Sequence, residues 1–266
     1  MTTTAPTIAA ASYVALDRVG KTYSSPRGPV AALENISLDI RPQEFVSVVG
    51  PSGCGKSTLL KLVAGLEGVS SGQIVVGGKS LHGPPDRLGV VFQRDVLLDW
   101  RTILDNVLLS IEFTRKPRAD ERDRALALLN RFGLGGFEHR FPWELSGGMR
   151  QRASICRALL ADPELLLMDE PFGALDAMTR DDINVELAQI WQDTRKTLLF
   201  ITHSIVEAVF LSDRVVMMSK APGVIVDTIA IDLPRPRRLA VRDSAEFAGY
   251  VHRIRHHFAE LGIVKE

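Results

Sequence analysis

The sequence predicts an α/β protein with a parallel-sheet core, an antiparallel β layer and an all-helical insertion. Three observations predict this class. Nearly continuous apolar runs are spaced along the chain, short or alternating apolar segments cluster near its start, and no strand pattern occurs between Ile103 and Leu160. Strands of a parallel sheet are buried on both faces and apolar throughout, whereas alternation is typical of strands with one exposed face.

The segments of the antiparallel layer come first along the chain. They lie around Tyr13 to Val19, Leu33 to Ile40 and Gln73 to Val76, bounded by Gly, Pro and Ser, and we interpret them as half-exposed strands. The buried strands are Phe45 to Val49, Leu88 to Phe92, Leu165 to Met168 and Thr197 to Thr202. Helical patterns separate these runs, so parallel connections are expected.

Helices are predicted over Lys56 to Ala64 and Arg118 to Phe132, because Gly65 and Gly133 follow where a left-handed cap would end each one. A further helix, Thr179 to Thr194, has one apolar stripe consisting of Ile183, Leu187, Ile190 and Trp191.

The C-terminal part departs from this order. The segment "PRPRR" (Pro234 to Arg238) interrupts it, and an amphipathic helix is expected to begin near Asp243, with Glu246 completing a capping box. Its apolar side would consist of Phe247, Val251, Ile254, Phe258 and Leu261. The predicted division is a main domain over residues 13–232, with a helical subdomain at about 94–161 inserted in it, and a helical tail over residues 233–266.

The composition of the chain argues against several classes of protein. Lys and Arg number 32 and so do Asp and Glu, so no net charge recruits nucleic acid, and no nucleic-acid partner is expected. No apolar segment approaches the roughly 18 to 20 residues that span a bilayer. Cys54 and Cys156 lie far apart in a chain without an export signal, which predicts neither a disulfide nor a zinc site and indicates a reducing cytoplasm.

The segment "GPSGCGKST" fits the phosphate-binding P-loop pattern, and it follows a buried strand and opens a helix, as that pattern requires. Glycines let backbone N–H groups turn toward a phosphate, and the helix N-terminus adds about half a positive charge. Lys56 would reach the β and γ oxygens and Ser57 would hold Mg²⁺. The P-loop consists of Gly50, Pro51, Ser52, Gly53, Cys54, Gly55, Lys56, Ser57 and Thr58.

Polar side chains end the other buried strands. Asp169 and Glu170 follow "LLLM", Gln93 follows "LGVVF", and His203 follows "TLLFIT". Because ligands bind at the carboxyl edge of parallel sheets, these residues are candidates for one site. Asp169 would fix the magnesium shell and Glu170 would accept a proton from water. Tyr23, at the end of the first strand region, could pack in a small core or stack on a base.

A second anion receptor is predicted in "LSGGMRQR" (Leu145 to Arg152), which we call the signature segment. Ser146 can cap the helix that follows, while Gly147 and Gly148 leave backbone donors open at its positive end. For an isolated Ser-Gly-Gly, a plain helix cap would be an equally good interpretation.

The combination of these motifs is specific. The P-loop, Gln93, the signature segment, "LLLMDEP", "GALD" (Gly173 to Asp176) and His203 resemble, in order and spacing, the ATP-binding subunit of ABC transporters. The resemblance covers about Tyr13 to Asp232 and departs at Met149, where many members have glutamine. It implies a P-loop NTPase (RecA-like) core, with residues 13–232 as an ABC ATPase domain.

In that family, two subunits stack head to tail, so the signature of one would close over the γ-phosphate held by the other's P-loop. The resemblance implies ATP and Mg²⁺ as cofactors, a second copy of this chain and membrane permease subunits as partners, and indirectly a solute-binding protein. It places the chain peripherally at the cytoplasmic face of the membrane. By the same resemblance, Tyr23 would stack on adenine, Gln93 would sense magnesium, Asp176 would link the two sites, and His203 would contact the γ-phosphate.

"FQRDVLLDWRTILDNV" (Phe92 to Val107), the signature segment and "DEPFGALD" are similar to the importer branch for nitrate, alkanesulfonates and taurine. The alternative is a soluble switch ATPase of the same fold that acts on nucleic acid or ribosomes. Those proteins carry long coiled-coil insertions or two ATPase halves, whereas this chain has one P-loop and a short helical insert. The importer subunit is therefore the favoured interpretation.

Overall fold

The computed structural model describes residues 12–173 and 175–263. Residues 264–266 of the predicted tail and Ala174 of "GALD" lie outside the described residues. The strands are β1 (Val14–Tyr23), β2 (Val30–Ile40), β3 (Phe45–Val49), β4 (Ser71–Val76), β5 (Lys79–Ser80), β6 (Leu88–Val91), β7 (Leu165–Asp169), β8 (Thr197–Ile201), β9 (Arg214–Met218) and β10 (Ile225–Ala230).

The helices of the structure lie within a few residues of the predicted boundaries wherever the sequence predicted them. They are α1 (Lys56–Val63), α2 (Ile103–Glu112), α3 (Ala119–Arg131), α4 (Gly147–Leu160), α5 (Ala177–Thr194), α6 (Ile205–Leu211) and α7 (Ala245–Glu260), with 3₁₀ turns at Pro142–Glu144 and Leu239–Asp243. Gly65 and Gly133 have φ of 67° and 69°, the left-handed conformation predicted after α1 and α3. Among the described residues, no helix is both long and apolar enough to cross a bilayer.

The main sheet has six strands in the order β10-β9-β3-β8-β7-β6. β9, β3, β8, β7 and β6 are parallel, and β10 pairs antiparallel with β9 at one edge. The parallel core predicted from the apolar runs is therefore confirmed, and β9 and β10 extend it beyond the predicted strands. β3 is central in this sheet, so the loop that follows β3 has strand ends on both sides.

The small sheet has the order β2-β1-β4-β5, with antiparallel pairing throughout. It confirms the predicted antiparallel layer. Successive residues of β3 belong to different cores: Phe45 and Val49 pack with the helices on one face, while Val46 and Val48 pack with α1 and the small sheet on the other. α1 contacts β2 as well as β7 and β8, so this helix lies between the two sheets.

The helical insertion consists of α2, α3 and α4, which pack on one another. The tail helix α7 packs on α6 through Phe247, Val251, Ile254 and Phe258, which are buried. Two details of the predicted tail are wrong. The cap is Ser244, whose Oγ accepts from the Phe247 N–H, so Asp243 and Glu246 form no capping box. Leu261 follows the end of α7 and is 43% exposed.

Arg237, from the "PRPRR" segment, holds the end of α6 against the end of β10. Arg237 is 5% exposed, and within the described part of the chain its guanidinium donates only to backbone carbonyls. These belong to Val209, Phe210, Ser212, Ile231 and Leu233. Burial lowers the pKa of Arg237 to about 10. The side chain stays cationic at neutral pH, and each carbonyl depends on it for a partner.

Arg237→Met should lower the free energy of unfolding by roughly 3 kcal/mol. Methionine is an unbranched side chain but has no N–H donor, so the buried carbonyls would lose the hydrogen bonds that Arg237 gives them. Urea unfolding followed by circular dichroism measures this loss. Arg238→Met is the matched control, since Arg238 is the exposed neighbour, and its effect should stay within about 0.5 kcal/mol. Equal losses in the two variants would contradict the role of Arg237.

Candidate functional site

The P-loop leaves the central strand β3 and opens α1. Gly53 and Gly55 have φ of 76° and 100°, a region that favours glycine. A Cβ on Gly55 would also lie 2.6 Å from Leu33 Cδ2. Because the residue that caps α1 is Gly55, no side chain occupies the first N–H groups of this helix. They therefore remain available to bind an anion in front of the loop.

Lys56 lies within this loop and is 5% exposed. Its ammonium donates to the carbonyls of Gly50 at 2.9 Å and Pro51 at 3.0 Å. The positive charge is thus held beside the same backbone groups that would surround a phosphate. Burial raises the pKa of the Cys54 thiol, which keeps this neighbour protonated and unreactive.

Asp169, the last residue of β7, lies beside the first turn of α1. Its Oδ1 accepts from the Ser57 hydroxyl at 3.2 Å, although the two residues are far apart in sequence. Asp169 is 9% exposed. Burial raises the pKa of its carboxyl, the Glu170 charge raises it further, and the Ser57 hydrogen bond opposes the rise. A buried carboxyl without a counter-charge in contact is a favourable place for a cation.

The donor set at Asp169 fits Mg²⁺. Hydroxyl and carboxylate oxygens are hard ligands, and Mg²⁺ takes one or two of them from protein while phosphates and water complete its shell. Consistent with this, the residues described here contain no group of three or more His, Cys, Asp and Glu side chains that could hold a metal by themselves. Ser57 and Asp169 would therefore share the ion with a phosphate-bearing ligand.

Glu170 and His203 form a pair at the same edge. His203 Nδ1 lies 3.2 Å from Glu170 Oε2, and the imidazole is 53% exposed whereas the carboxylate is 21% exposed. Glu170 has φ of 44°, which is unusual for a residue with a side chain. Such strain tends to persist at functional positions, where the surroundings hold it in place. Here the Glu170 N–H donates to the Ile201 carbonyl at 2.9 Å.

Gln93 lies beyond the end of β6 and is exposed. Val91 pairs with Met168 in parallel register, so Gln93 and Glu170 each come two residues after that pair. The segment around Gln93 is tied to α4: Gln151 donates to the Phe92 carbonyl at 3.1 Å, and Arg150 pairs with Asp95 at 2.9 Å. The strand end that carries Gln93 is thereby attached to the helix that begins at the signature segment.

Tyr23 ends β1 near α1. Its hydroxyl donates to Glu67 at 2.6 Å and approaches Thr58 Oγ1 at 3.4 Å. The Lys21 ammonium lies over one face of the ring, 4.9 Å from its centroid. The ring is half-buried, beside the residue that ends the P-loop.

The signature segment opens a separate groove of about 410 Å³, which we call the signature groove. Ser146 caps α4 by accepting from the Met149 N–H at 3.3 Å. Gly148 packs closely, since a Cβ there would lie 3.0 Å from Leu175 Cδ2, whereas at Gly147 the nearest atom is 3.9 Å away. The signature groove is lined by Ser146, Gly147, Gly148, Met149, Arg152, Leu175, Asp176 and Thr179.

Asp176 lies in this groove and caps α5, accepting from the Thr179 N–H at 3.0 Å. The structure therefore gathers the candidates into two groups. The P-loop, Gln93, Asp169, Glu170 and His203 follow strands at one edge of the main sheet, whereas Ser146 to Gly148 and Asp176 line a groove that, among the described residues, contains none of the P-loop.

Three residues beside these groups were not predicted from the sequence. Thr202 Oγ1 donates to Glu207 Oε2 at 2.6 Å, and Arg180 Nε lies 3.6 Å from Glu207 Oε1. The available signal was a glutamate within the otherwise apolar run "IVEAVFL" of α6, since a carboxylate on an apolar helix needs a partner when it is buried.

The family model described as "ABC transporter" matches residues 33–173. The nitrate import ATP-binding protein of Synechococcus elongatus is 44% identical over 91% of this chain and 92% of its own length. The taurine import ATP-binding protein of Yersinia pestis is 49% identical over 76% and 79%. A solved bacterial ABC transporter cassette, dimeric and also known with ADP and phosphate bound, is 32% identical with a TM-score of 0.75, covering 83% of this chain and 100% of that one.

Asp169→Asn should stabilise the protein at neutral pH in the absence of nucleotide. A raised pKa means that the folded protein holds the proton more tightly than the unfolded chain does. Asp169 therefore costs stability above its folded pKa, and this cost disappears below the ordinary aspartate pKa of about 3.9. Thermal unfolding against pH should show an advantage for the variant at pH 7 that shrinks on acidification.

Asp162→Asn is the control of opposite sign. The hydrogen bond from Lys196 lowers the pKa of Asp162, so its contribution to stability is present above the unfolded pKa and is lost as the pH falls through the folded one. This variant should be less stable than the wild type at pH 7. A loss of stability in Asp169→Asn at neutral pH would show that the Asp169 carboxylate is not a cost to the fold.

Proposed function

This chain belongs to the ABC transporter family, and from that premise we propose that two copies of it close head to tail around ATP to drive solute uptake through a separate permease. It is an ATP-binding, ATP-hydrolysing subunit of an importer. Beyond this, the roles of the site residues, the Mg²⁺ ion, the head-to-tail geometry of the dimer and the class of solute are proposed.

The observation that carries the proposal is the separation of two anion receptors in one chain. The P-loop lies at the edge of the main sheet, while the signature groove opens beside Asp176. Each is a helix N-terminus whose first donors are free of bulky side chains. A second copy supplies the missing half if the signature groove of one subunit faces the P-loop of the other.

The P-loop holds the phosphates and Lys56 releases its loop carbonyls to bind the β and γ oxygens. Tyr23 stacks on adenine with the ring face opposite Lys21. Ser57 and Asp169 would hold Mg²⁺, and the ion would supply positive charge to offset that of the phosphates. The positive charge of the ion would also offset the cost of burying the Asp169 carboxylate, so the group that costs stability without nucleotide would serve as a ligand.

Glu170 accepts a proton from the water that attacks the γ-phosphorus. The bond from phosphorus to the bridging oxygen breaks, and ADP leaves with that electron pair. His203 lies beside Glu170 at 3.2 Å and contacts the γ-phosphate through the imidazole, which is half exposed. Gln93, at the neighbouring strand end, would contact the magnesium shell, and the segment that carries it is attached to α4, which would link the ion to that helix.

The γ-phosphate makes closure switchable. Ser146, Gly147 and Gly148 gain charge-assisted contacts only while that group is present, so ATP favours the closed dimer and hydrolysis releases it. Asp176, in the same groove, links the two sites across the interface.

The solute proposed is a small anion or organic compound of the nitrate, alkanesulfonate or taurine type, since relatives are named as nitrate and taurine import proteins. The solute itself would be chosen by the permease and a solute-binding protein, and this chain would act at the cytoplasmic face of the membrane. The soluble switch ATPase is not favoured, because the relatives that match most of this chain are named as import proteins.

Glu170→Gln should reduce ATP hydrolysis roughly 10²- to 10⁴-fold, the contribution typical of a general base. It should leave ATP binding intact and allow an ATP-dependent dimer to accumulate. Phosphate release and light scattering measure the two effects. Glu164→Gln makes the same change at the opposite end of the same strand and should hydrolyse ATP normally. Unaltered hydrolysis in Glu170→Gln would refute the base assignment.

Gly147→Asp should separate folding from closure. An acidic residue in the first turn stabilises a helix by about 0.3 to 1 kcal/mol, and the position has room for it, but its charge opposes a partner's phosphate. Hydrolysis should fall at least about tenfold while nucleotide affinity changes less than about twofold. Gly249→Asp, on the exposed face of α7, should have no effect on hydrolysis. Lost affinity of the Gly147 variant would place the signature groove within the same subunit's site.

A further inference from the structure

We infer that Arg180 and Glu207 are positioning residues that join the signature groove to the turn carrying His203 within each subunit. The inference deepens the proposed function and rests on it. Neither side chain lines the signature groove, and neither follows a strand at the nucleotide edge. Their effect is exerted through the residues that they hold.

Glu207 fixes both neighbours of His203. Its carboxylate accepts from Thr202 Oγ1 at 2.6 Å, and its N–H donates to Ser204 Oγ at 3.3 Å. Ser204 completes this ring of hydrogen bonds, since its N–H donates to Thr202 Oγ1 at 3.0 Å. His203 therefore sits between two residues that bond to each other and to the same glutamate.

Burying the Glu207 carboxylate costs free energy, so its partners are needed to hold it in place. Glu207 is 5% exposed and Thr202 is 2% exposed. Burial raises the pKa of the Glu207 carboxyl, and the Thr202 hydrogen bond and the Arg180 charge oppose that rise. A buried carboxylate is tolerated only with such partners, so a change at Arg180 acts on the turn around His203.

Arg180 makes the connection to the groove. Its Nη2 donates to the Leu175 carbonyl at 3.0 Å, and its Nε lies 3.6 Å from Glu207 Oε1. Leu175 lines the signature groove and packs against Gly148 so closely that a Cβ on that glycine would lie 3.0 Å from Leu175 Cδ2. A continuous set of contacts thus runs from Gly148 to Thr202, next to His203.

The two ends of this connection would serve different nucleotides. In the proposed dimer, the signature groove contacts the partner's ATP, whereas His203 contacts the ATP of its own P-loop. Arg180 and Glu207 would therefore transmit the position of one γ-phosphate to the histidine that acts on the other.

The test uses the full chain with Glu207→Gln, Arg180→Met and the double variant. Glu207→Gln keeps an acceptor for Thr202 but removes the charge that faces Arg180. Each single variant should lower kcat at least about tenfold while nucleotide affinity changes less than about twofold, and the Hill coefficient for ATP should fall toward 1. The double variant should be no slower than the slower single one, because both changes break one connection.

Arg131→Met is the matched control. Arg131 pairs with Glu186 and Asp193 of the same helix α5, but that pair lies on the surface between α5 and α3, so kcat and the Hill coefficient should match the wild type. If Glu207→Gln does not fold, Thr202→Val, which removes the hydroxyl and keeps the shape, takes its place in the cycle with Arg180→Met.

The outcomes separate this inference from the proposed function. If the wild type hydrolyses ATP and His203→Ala does not, but the Glu207 and Arg180 variants turn over normally, the inference is overturned and the proposed function stands. Losses that multiply in the double variant overturn it as well. If the wild type does not hydrolyse ATP, or His203→Ala does so at the wild-type rate, the assignment of the site itself fails.

Discussion

The structure depends on one constraint: strands that run parallel end at the same edge of their sheet. The loops that follow β3, β8, β7 and β6 are therefore brought together, although they are far apart along the chain. Opposite charges meet there, because the backbone donors of α1 attract anions while Asp169 and Glu170 repel each other and attract cations. The topology therefore supports the proposed site for a phosphate and a metal ion, because these residues occupy the strand ends.

Features that depend on neighbouring residues could be predicted from the sequence. The four buried strands, the glycine caps of α1 and α3 and the strand-loop-helix setting of the P-loop each follow from a pattern within about 10 to 20 residues. The stripe on α5 likewise predicted the buried Ile183, Leu187, Ile190 and Trp191. The roles of the site residues remain predictions, although the structure brings Ser57 to Asp169 and Glu170 to His203.

Features that depend on partners far away in the sequence could not be predicted from it. Glu207 and Arg237 belong to residue types that are usually exposed, and only the fold shows that one meets Thr202 and the other a set of carbonyls. The tail errors have a local cause. Asp243 and Ser244 are both good caps, so a shift of one residue decides between them, and the apolar stripe of α7 does not predict that the helix ends before Leu261.

Stability is given up at the nucleotide edge and recovered away from it. Asp169 is a buried carboxylate and Glu170 has a left-handed backbone, so both oppose folding. In the proposed site, a bound cation would offset the cost of the Asp169 charge. The strands beneath are apolar, and the tail binds the far end of α6 through Arg237 and contacts α5 through Arg242 and Asp181. α6, which begins two residues after His203, is thus held at both ends. His203 lies in the turn before this helix, between two residues that bond to Glu207, so in the proposed dimer the contacts of Glu207 and Arg180 would move the histidine and α6 together.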